Sequence, residues 1–279
     1  MELYNKTSAK ISELITKEYS TSFSLGIMAF NKKFREPIYS VYGFVRLADE
    51  IVDTFHDFEK RKLLDEFRAE TFRAIETGFS LNPIIHTFQQ VVNRYGIDLE
   101  FIEAFLNSMA MDLDNNYYEA KDYDNYIYGS AEVVGLMCLR VFCEGDRKLF
   151  DELKSPATAL GSAFQKVNFL RDIKSDIEER GRIYMPGVNN FEKIDEKNKI
   201  LLEEKIASEF THALEGIKKL PEGCRLGVYS AYLYYFNLFN KIKESKVDIL
   251  LKKRVRVSNA RKLMLLTKSI IEVKVLKTC

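Results

Sequence analysis

Two long stretches of this chain are hydrophobic around most of a helical wheel, and each also carries a pair of aspartates spaced four residues apart. The first pair is Asp49 and Asp53, and the second is Asp172 and Asp176. This spacing puts both carboxylates of a pair on one helix face. Helices this apolar are buried on most sides, and buried carboxylates are costly unless they are paired or bind a metal. The fold therefore has to bring positive charge to both acidic faces.

A divalent cation is the simplest source of that charge. Like charges four residues apart repel each other, whereas Mg²⁺ prefers oxygen ligands and often bridges a carboxylate to a substrate phosphate. An arginine also lies close before each pair, Arg46 before the first and Arg171 before the second. The alternative is two solvated helix faces, which is the common explanation of one isolated D-x-x-x-D. The apolar surroundings favour a site that holds Mg²⁺, with Mn²⁺ as a substitute.

The composition argues against several functional classes. The chain has 279 residues and a formal net charge of +1, which argues against a nucleic-acid binder. Three scattered histidines and four cysteines without C-x-x-C spacing give no zinc pattern. No run of ~18 apolar residues lacks charge, and the first residues have no apolar signal-peptide core. We therefore predict a cytoplasmic protein with reduced thiols.

A hydrophobic period of 3.6 dominates the chain, whereas alternation with period two is scarce. The predicted helices are 5–18, 37–56, 59–77, 82–95, 98–112, 122–144, 146–178, 194–219, 223–243 and 257–275. Pro37 and Pro83 are predicted at helix starts, and Pro156 either lies inside the helix 146–178 or occupies a first turn that delays the start of that helix. No Pro/Gly/Ser-rich linker divides the chain, so we predict one all-α domain over residues 1–279.

Several segments, in order, carry a family resemblance. They read STSF (20–23), YGFVRLADEIVD (42–53), YIYGSAEVVG (126–135), QKVNFLRD (165–172) and RGRIYMP (180–186). In this combination the chain resembles the squalene/phytoene synthase family, whose members condense isoprenoid diphosphates head to head. The resemblance runs from about residue 18 to the basic segment near residue 262. It implies an isoprenoid-synthase-type helical bundle around a central cavity. The stretches ADEIVDTFH and GSAEVVGLMCLRVF are most similar to bacterial phytoene synthases.

The resemblance also implies roles for the residues that match. The magnesium ligands would be Asp49, Asp53, Asp172 and Asp176. Substrate-binding residues, which include the arginines that contact diphosphate, would be Ser20, Ser22, Phe23, Tyr42, Arg46, Arg171 and Arg182. Residues beside the reacting carbons and the carbocation would be Gln165, Asn168 and Tyr128. Many relatives end the second motif in two adjacent acids, where this chain has Ser175 before Asp176.

Structural explanations exist for some of these residues. Ser20 and Ser22 can cap a helix, Tyr128 can be an ordinary core tyrosine, and Arg182 can lie on the surface. A basic tail that also holds apolar residues favours peripheral contact with the inner face of a membrane, or else a solvated or substrate-facing basic surface. Its charged residues are Lys252, Lys253, Arg254, Arg256, Arg261 and Lys262.

The resemblance implies a prenyltransferase that joins two geranylgeranyl diphosphates to phytoene through a cyclopropyl (prephytoene) diphosphate, the first step of carotenoid biosynthesis. NADPH is not expected, and a desaturase is the expected downstream partner. The sister alternative is a squalene or dehydrosqualene synthase that uses two farnesyl diphosphates. A single-substrate terpene cyclase and a non-catalytic helical assembly factor are further alternatives. The segments 165–172 and 126–135 argue against the cyclase, and the presence of all four motif aspartates argues against the assembly factor.

Overall fold

The structure is a computed structural model that describes residues 1–114, 120–184, 194–276 and 279. Within those ranges it contains thirteen α-helices and no strand. In chain order they are α1 Glu2–Tyr19, α2 Thr21–Met28, α3 Lys32–Asp53, α4 Lys60–Thr77, α5 Pro83–Tyr95, α6 Leu99–Asp114, α7 Ala120–Ile127, α8 Val133–Cys143, α9 Arg147–Arg180, α10 Glu196–Lys219, α11 Glu222–Lys243, α12 Val247–Leu250 and α13 Asn259–Ile270. The all-α prediction is confirmed, and each of the ten predicted helices is present with shifted ends.

The prediction for Pro37 was wrong, and the first-turn alternative for Pro156 is excluded. α3 begins at Lys32, because the Asn31 side chain accepts a hydrogen bond from the Lys33 amide, so Pro37 lies inside the helix rather than at its start. Pro156 lies well inside the 34-residue α9 instead of in a first turn. A Cβ on Gly216 of α10 would lie only 2.4 Å from the Pro156 ring. The absent side chain at 216 therefore makes room for the proline in a continuous helix.

The core is built where α3 meets α5 and α6. Phe44 is fully buried and stacks on Phe88 at 3.8 Å between ring centroids, with Phe105 packed at 5.7 Å. α1 covers α3 and α5 on one side, and α9 packs against α8 and α10 on the other. These contacts hold α3 and α9, the two helices that carry the aspartate pairs, on opposite sides of a cavity.

The segment between α7 and α8 is a π-helical turn, Tyr128–Glu132, inside what the sequence predicts as one continuous helix. A Cβ on Gly161 of α9 would lie 2.7 Å from the Ala131 carbonyl oxygen, so this glycine lets α9 approach the turn closely. Single π turns inside helices are frequent at functional sites. This one faces the cavity through Ser130 and Ala131.

One stretch of the described chain, Lys121–Cys143, is long and apolar enough to cross a membrane by length and composition. It comprises most of α7, the π turn and α8. More than half of its most apolar window is buried inside the fold, and α8 packs against α3, α6 and α9. Its hydrophobic residues therefore form core and cavity wall.

Candidate active site

A cavity of about 390 Å³ runs between α2, α3, α8, α9, α10 and α11. Along α9 its wall extends from Leu153 at the apolar end to Asn168 near the second aspartate pair. Most of the wall is aliphatic, aromatic or glycine. Polar side chains enter the cavity from a small number of positions, and these are Ser22, Tyr42, Asp49, Tyr126, Ser130, Gln165, Asn168, Tyr234 and Tyr235. The cavity is thus an apolar tunnel with a polar end, which suits a long hydrocarbon attached to a charged group.

The first aspartate pair lies at the polar end, on the last turns of α3. Asp49 lines the cavity, and burial raises its pKa to about 7, although the nearby Arg46 acts in the opposite direction. Asp53 faces the end of α9 and pairs with Arg182 at 2.8 Å. The negative charge of Asp53 also contributes to the raised pKa of Asp49. Two carboxylates with this environment favour a nearby cation.

The second pair lies on α9, opposite the first. Asp172 receives two hydrogen bonds from its neighbour Arg171, at 2.9 and 2.6 Å. Asp176 is 7% exposed, and burial raises its pKa to about 7 while Arg180 lowers it. The charges of Asp172 and Asp53 raise it further. Both aspartate pairs thus form one electrostatic site.

Arg180 joins the two pairs, and the sequence analysis did not assign it to the site. Its Nη1 lies 2.9 Å from Asp176 Oδ1, and its Nε lies 3.3 Å from Asp53 Oδ2. Arg182, two residues later, is 7% exposed and contacts Asp53, so it is not a surface arginine. The two arginines of the run RGR were the sequence feature that could have predicted these contacts, because two cations so close to an acidic helix need acidic partners.

Asp112 on α6 is a second residue that the sequence analysis missed. It is buried and accepts hydrogen bonds from the hydroxyls of Tyr126 and Tyr184, each at 2.8 Å. Arg182 donates to the Tyr184 oxygen at 3.3 Å and lies 3.7 Å from the Asp112 carboxylate. This buried network ties the end of the RGRIY segment to the wall of the cavity. Asp112 lies in no recognised motif, so spacing alone gave no signal.

Arg254, which follows α12, also reaches the site. Its Nε lies 2.7 Å from Asp172 Oδ1 and its Nη2 lies 3.2 Å from Oδ2. The sequence predicts this arginine in a basic tail that is lipid-facing, solvated or substrate-facing. For Arg254 the structure supports the substrate-facing alternative. A separation of 82 residues from Asp172 made this contact invisible to motif spacing.

The structure corrects the placement of Tyr128. Its side chain is 40% exposed and does not line the cavity, whereas Tyr126 does line it. Residues 126 and 130 are one helical turn apart and share a face, and both line the cavity, whereas residue 128 projects from another side. Of these two tyrosines, Tyr126 is therefore the one that lines the cavity, and its hydroxyl donates a hydrogen bond to Asp112.

Gln165 and Asn168 both line the cavity, and their position beside the reacting carbons stays a prediction. The Gln165 amide donates to Ser130 Oγ at 3.4 Å, which connects α9 to the π turn. The Asn168 oxygen accepts a hydrogen bond from the Tyr235 hydroxyl at 3.3 Å. Each side chain is thereby held in a fixed orientation beside the apolar tunnel.

The residues at the other side of the polar end have mixed roles. Ser20 caps α2, because its Oγ accepts from the Phe23 amide at 3.2 Å, whereas Ser22 lines the cavity. Phe23 packs its ring against Tyr42 at 5.6 Å, and burial raises the pKa of Tyr42 to about 12. Ser20 thus has the capping function that the sequence offered as the alternative.

Arg46 has a buried N–H group that can bind an anion. It pairs with Glu50 and stacks over the Tyr19 ring at 4.2 Å, and its buried Nε has no hydrogen-bond partner among the described residues. A buried guanidinium N–H without a partner is costly, and a phosphate oxygen would satisfy it.

Comparison with known proteins gives a direct match. The family model described as "Squalene/phytoene synthase" matches residues 16–196, which is more than half of the chain. The chain belongs to the squalene/phytoene synthase family. It is 29% identical to a phytoene synthase of Arthrospira platensis over 284 residues, which covers 93% of this chain and 91% of the relative. It is 28% identical to a 15-cis-phytoene synthase of Synechococcus elongatus, over 89% of this chain and 88% of the relative.

A solved structure of a family member shares the fold. A crystal structure of a dehydrosqualene synthase in complex with ligand superposes with a TM-score of 0.82, at 24% identity, over 97% of this chain and 98% of that one. The predicted isoprenoid-synthase-type helical fold is therefore confirmed. As a squalene/phytoene synthase family member with phytoene synthases among its relatives, the chain is a prenyltransferase.

A magnesium ion fits this family member's site only together with a substrate. Among residues 1–114, 120–184, 194–276 and 279, no three acidic, histidine or cysteine side chains converge on one point. Mg²⁺, however, is usually held by one or two carboxylates plus substrate phosphates and waters. Burial, together with the neighbouring carboxylates, raises the pKa values of Asp49 and Asp176 to about 7, so a cation at this site would stabilise their charged forms. The donor set therefore fits Mg²⁺ that arrives with a diphosphate, and the ligand role of the four aspartates stays a prediction.

Proposed function

We propose that this enzyme condenses two geranylgeranyl diphosphates head to head to phytoene through a cyclopropyl (prephytoene) diphosphate, with Mg²⁺ or Mn²⁺ as the required cation. The observation that carries the proposal is the junction of the two aspartate pairs. Arg180 contacts Asp53 on α3 and Asp176 on α9, at the polar end of a single apolar cavity. Two acidic helices that share one cavity suit a reaction in which two diphosphates are handled together.

The arginines would bind and orient the leaving diphosphate. Arg46 offers an unpartnered buried N–H, and Arg171, Arg182 and Arg254 already bind the aspartates that surround the same space. Guanidinium groups match phosphate oxygens with paired hydrogen bonds, so the charge that develops on the leaving group is met by fixed donors. When bound, a divalent cation supplies further neutralisation of the same oxygens.

The cavity wall would protect the allylic cation from water. Its aliphatic and aromatic lining excludes the nucleophile that would otherwise trap the cation as an alcohol. The aromatic rings of Phe23 and Tyr126 present electron-rich faces, which stabilise positive charge. Asp112 holds Tyr126 by its hydroxyl, so this ring keeps its position during the reaction.

The names of the relatives support the twenty-carbon substrate. Both cyanobacterial relatives described above are phytoene synthases and align over most of this chain. A tunnel that contains Ile27 rather than an aromatic residue, and that stays open as far as Leu153, is consistent with a long prenyl chain. Phytoene formation needs loss of a proton rather than reduction, so NADPH is not part of the proposal.

Product analysis with both diphosphates tests the proposal. Purified protein is incubated with geranylgeranyl diphosphate and Mg²⁺, and in parallel with farnesyl diphosphate with and without NADPH. The lipid extract is then analysed by chromatography and mass spectrometry. We expect a C40 hydrocarbon from the first incubation, without NADPH, and none when EDTA replaces Mg²⁺.

The outcomes separate the alternatives. A C30 product formed only from farnesyl diphosphate would identify a squalene or dehydrosqualene synthase. A cyclic product from one diphosphate would identify a terpene cyclase. A folded protein that converts neither substrate would contradict an enzymatic role. The matched control is Asp49→Ala, which removes a carboxylate that lines the cavity and should abolish each product.

A further inference from the structure

Helix α13 and the π turn that follows it, Ile271–Val275, have two apolar faces. One face is buried in the fold through Leu265, Ser269 and Val273. The opposite face, here called the outer face, points away from the protein. Its residues and exposed fractions are Leu263 65%, Met264 47%, Ile270 40%, Ile271 44% and Val275 70%. Leu263, Met264 and Ile270 lie on one side of α13 at 3.6 residues per turn, with the exposed Thr267 between them, and Ile271 and Val275 continue this side in the π turn.

The outer face is unusual within this protein. α13 and its π turn together expose five large hydrophobic residues, whereas no other helix of the described chain exposes more than three. Isolated exposed hydrophobic residues are normal on any protein, but a contiguous apolar face usually marks a surface that is covered in use. The face therefore needs an occupant.

The charge around the face identifies that occupant. Residues 247–276 contain eight lysines and arginines and two acidic residues, whereas the whole chain has a net charge of only +1. Arg261, Lys268 and Lys274 are exposed on α13 and the π turn, beside the outer face. Of the two acidic residues, Glu272 accepts a hydrogen bond from the Tyr229 hydroxyl at 2.9 Å. An apolar strip bordered by cations suits an anionic lipid surface.

The same charges argue against a second copy of the chain. Two outer faces pressed together would bring their borders of lysine and arginine into contact, and like charges held close together are destabilising. A bilayer with anionic headgroups offers both the apolar interior and the opposite charge.

The outer face also lies near the cavity. α13 packs against α11, and the Ser230 and Ser269 hydroxyls are 2.7 Å apart across that contact. Lys262 of α13 lies 5.5 Å from the ring centroid of Tyr234, which lines the cavity. One helix thus separates the tunnel wall from the exposed apolar strip.

We propose that the outer face docks the enzyme on an anionic lipid bilayer, with α13 lying in the plane of the surface. The apolar side chains enter the interfacial layer, and Arg261, Lys268 and Lys274 contact the headgroups. The purpose of this contact rests on the proposed function, since a C40 hydrocarbon has almost no solubility in water and has to leave the tunnel for a lipid phase.

Flotation with vesicles tests the docking surface without any turnover. The vesicles are phosphatidylcholine alone or an equal mixture with phosphatidylglycerol, at low and high salt. The wild type should float with the anionic vesicles at low salt and much less at high salt, because salt screens the headgroup attraction. The double variant Met264→Gln, Ile271→Gln should reduce partitioning about tenfold or more. The matched control is Ile200→Gln, Leu201→Gln, an equally exposed apolar pair on α10 that should leave partitioning unchanged.

The charge arm uses Arg261→Glu with Lys268→Glu, which should remove the preference for phosphatidylglycerol. Thermal unfolding of every variant checks that the fold is kept. Absence of flotation by the wild type at low salt overturns the proposal, as does an equal loss in the α10 control. A dimer in size-exclusion chromatography that the outer-face variant dissolves, without lipid binding, would instead assign the face to self-association. Because the assay needs no substrate, it distinguishes failure of docking from failure of phytoene synthesis.

Discussion

Replacement of Asp176 by asparagine should make the metal-free enzyme more stable at pH 8 while removing its activity. Asp176 is 7% exposed, and its burial beside Asp172 and Asp53 raises its pKa to about 7, even though Arg180 donates to it at 2.9 Å. At pH 8 the folded protein therefore holds a charged carboxylate in an unfavourable place. Asparagine keeps the shape and removes the charge.

The size and sign of the effect follow from the pKa. The pKa rises from 3.8 to about 7, and each unit corresponds to ~1.36 kcal/mol, so the charged carboxylate costs at most ~4 kcal/mol at pH 8. A folded-state pKa above the unfolded value gives stability that is fully present below pH ~4 and is lost as the pH rises through ~7. The stabilisation by Asp176→Asn should therefore grow by up to ~3 kcal/mol between pH 5 and pH 8.

Urea or thermal unfolding in EDTA at both pH values measures this difference. For a domain of this size, ~1 kcal/mol corresponds to a shift of ~2–4 °C in Tm. Asp151→Asn, the same change at an exposed position of the same helix, is the control and should show no such pH dependence. If Asp176→Asn destabilises the protein equally at pH 5 and pH 8, the carboxylate is not under electrostatic strain and the reasoning is refuted.

Three further predictions concern activity. Tyr126→Phe should lower turnover about tenfold or more, since it removes the hydrogen bond that holds this ring to the buried Asp112, whereas Tyr128→Phe should leave steady-state kinetics nearly unchanged. The opposite ranking would contradict the corrected placement. Ile27→Phe should shift preference toward farnesyl diphosphate in a two-substrate competition, because Ile27 is 2% exposed and lines the cavity. Overpacking of the larger ring costs ~1–3 kcal/mol. An unchanged product ratio from a folded variant would assign chain length to another part of the tunnel. Turnover should vanish in EDTA and return with Mg²⁺, and full activity in the chelator would disprove a cation-dependent leaving group.

The sequence predicted the helices well because long amphipathic patterns are local. It missed α2 as a separate helix, since eight residues give too short a pattern, yet Ser20 and the cavity-lining Phe23 and Ile27 belong to that element or its cap. The interior positions of Pro37 and Pro156 could not be established from the sequence either. The first depends on a cap five residues upstream of the usual place, and the second on a glycine 60 residues away.

The repeated aspartate pairs of the candidate site could be predicted from the sequence. Residues that acquire their partners only on folding could not. Both aspartate pairs are visible in the sequence, because carboxylates on apolar helices need an explanation. Arg254 and Asp112 are invisible, since each acquires its partners only when distant helices pack. The choice between Tyr126 and Tyr128 depends on which face of α7 and its π turn meets the cavity, and a motif of adjacent aromatic residues does not specify that face.

Helix α9 has a consequence for the evolution of product length. It runs unbroken from Pro156, near the apolar end of the tunnel, to Asp172, near the proposed diphosphate end. With a rise of 1.5 Å per residue, this separation spans about 24 Å. The side chains of Ala157, Leu160 and Phe164 line the tunnel at successive distances along this helix, so their sizes determine how long a prenyl chain fits. Replacement of a small side chain among these by a bulky one would shorten the accepted substrate by a defined step, without any change at the end where the chemistry occurs.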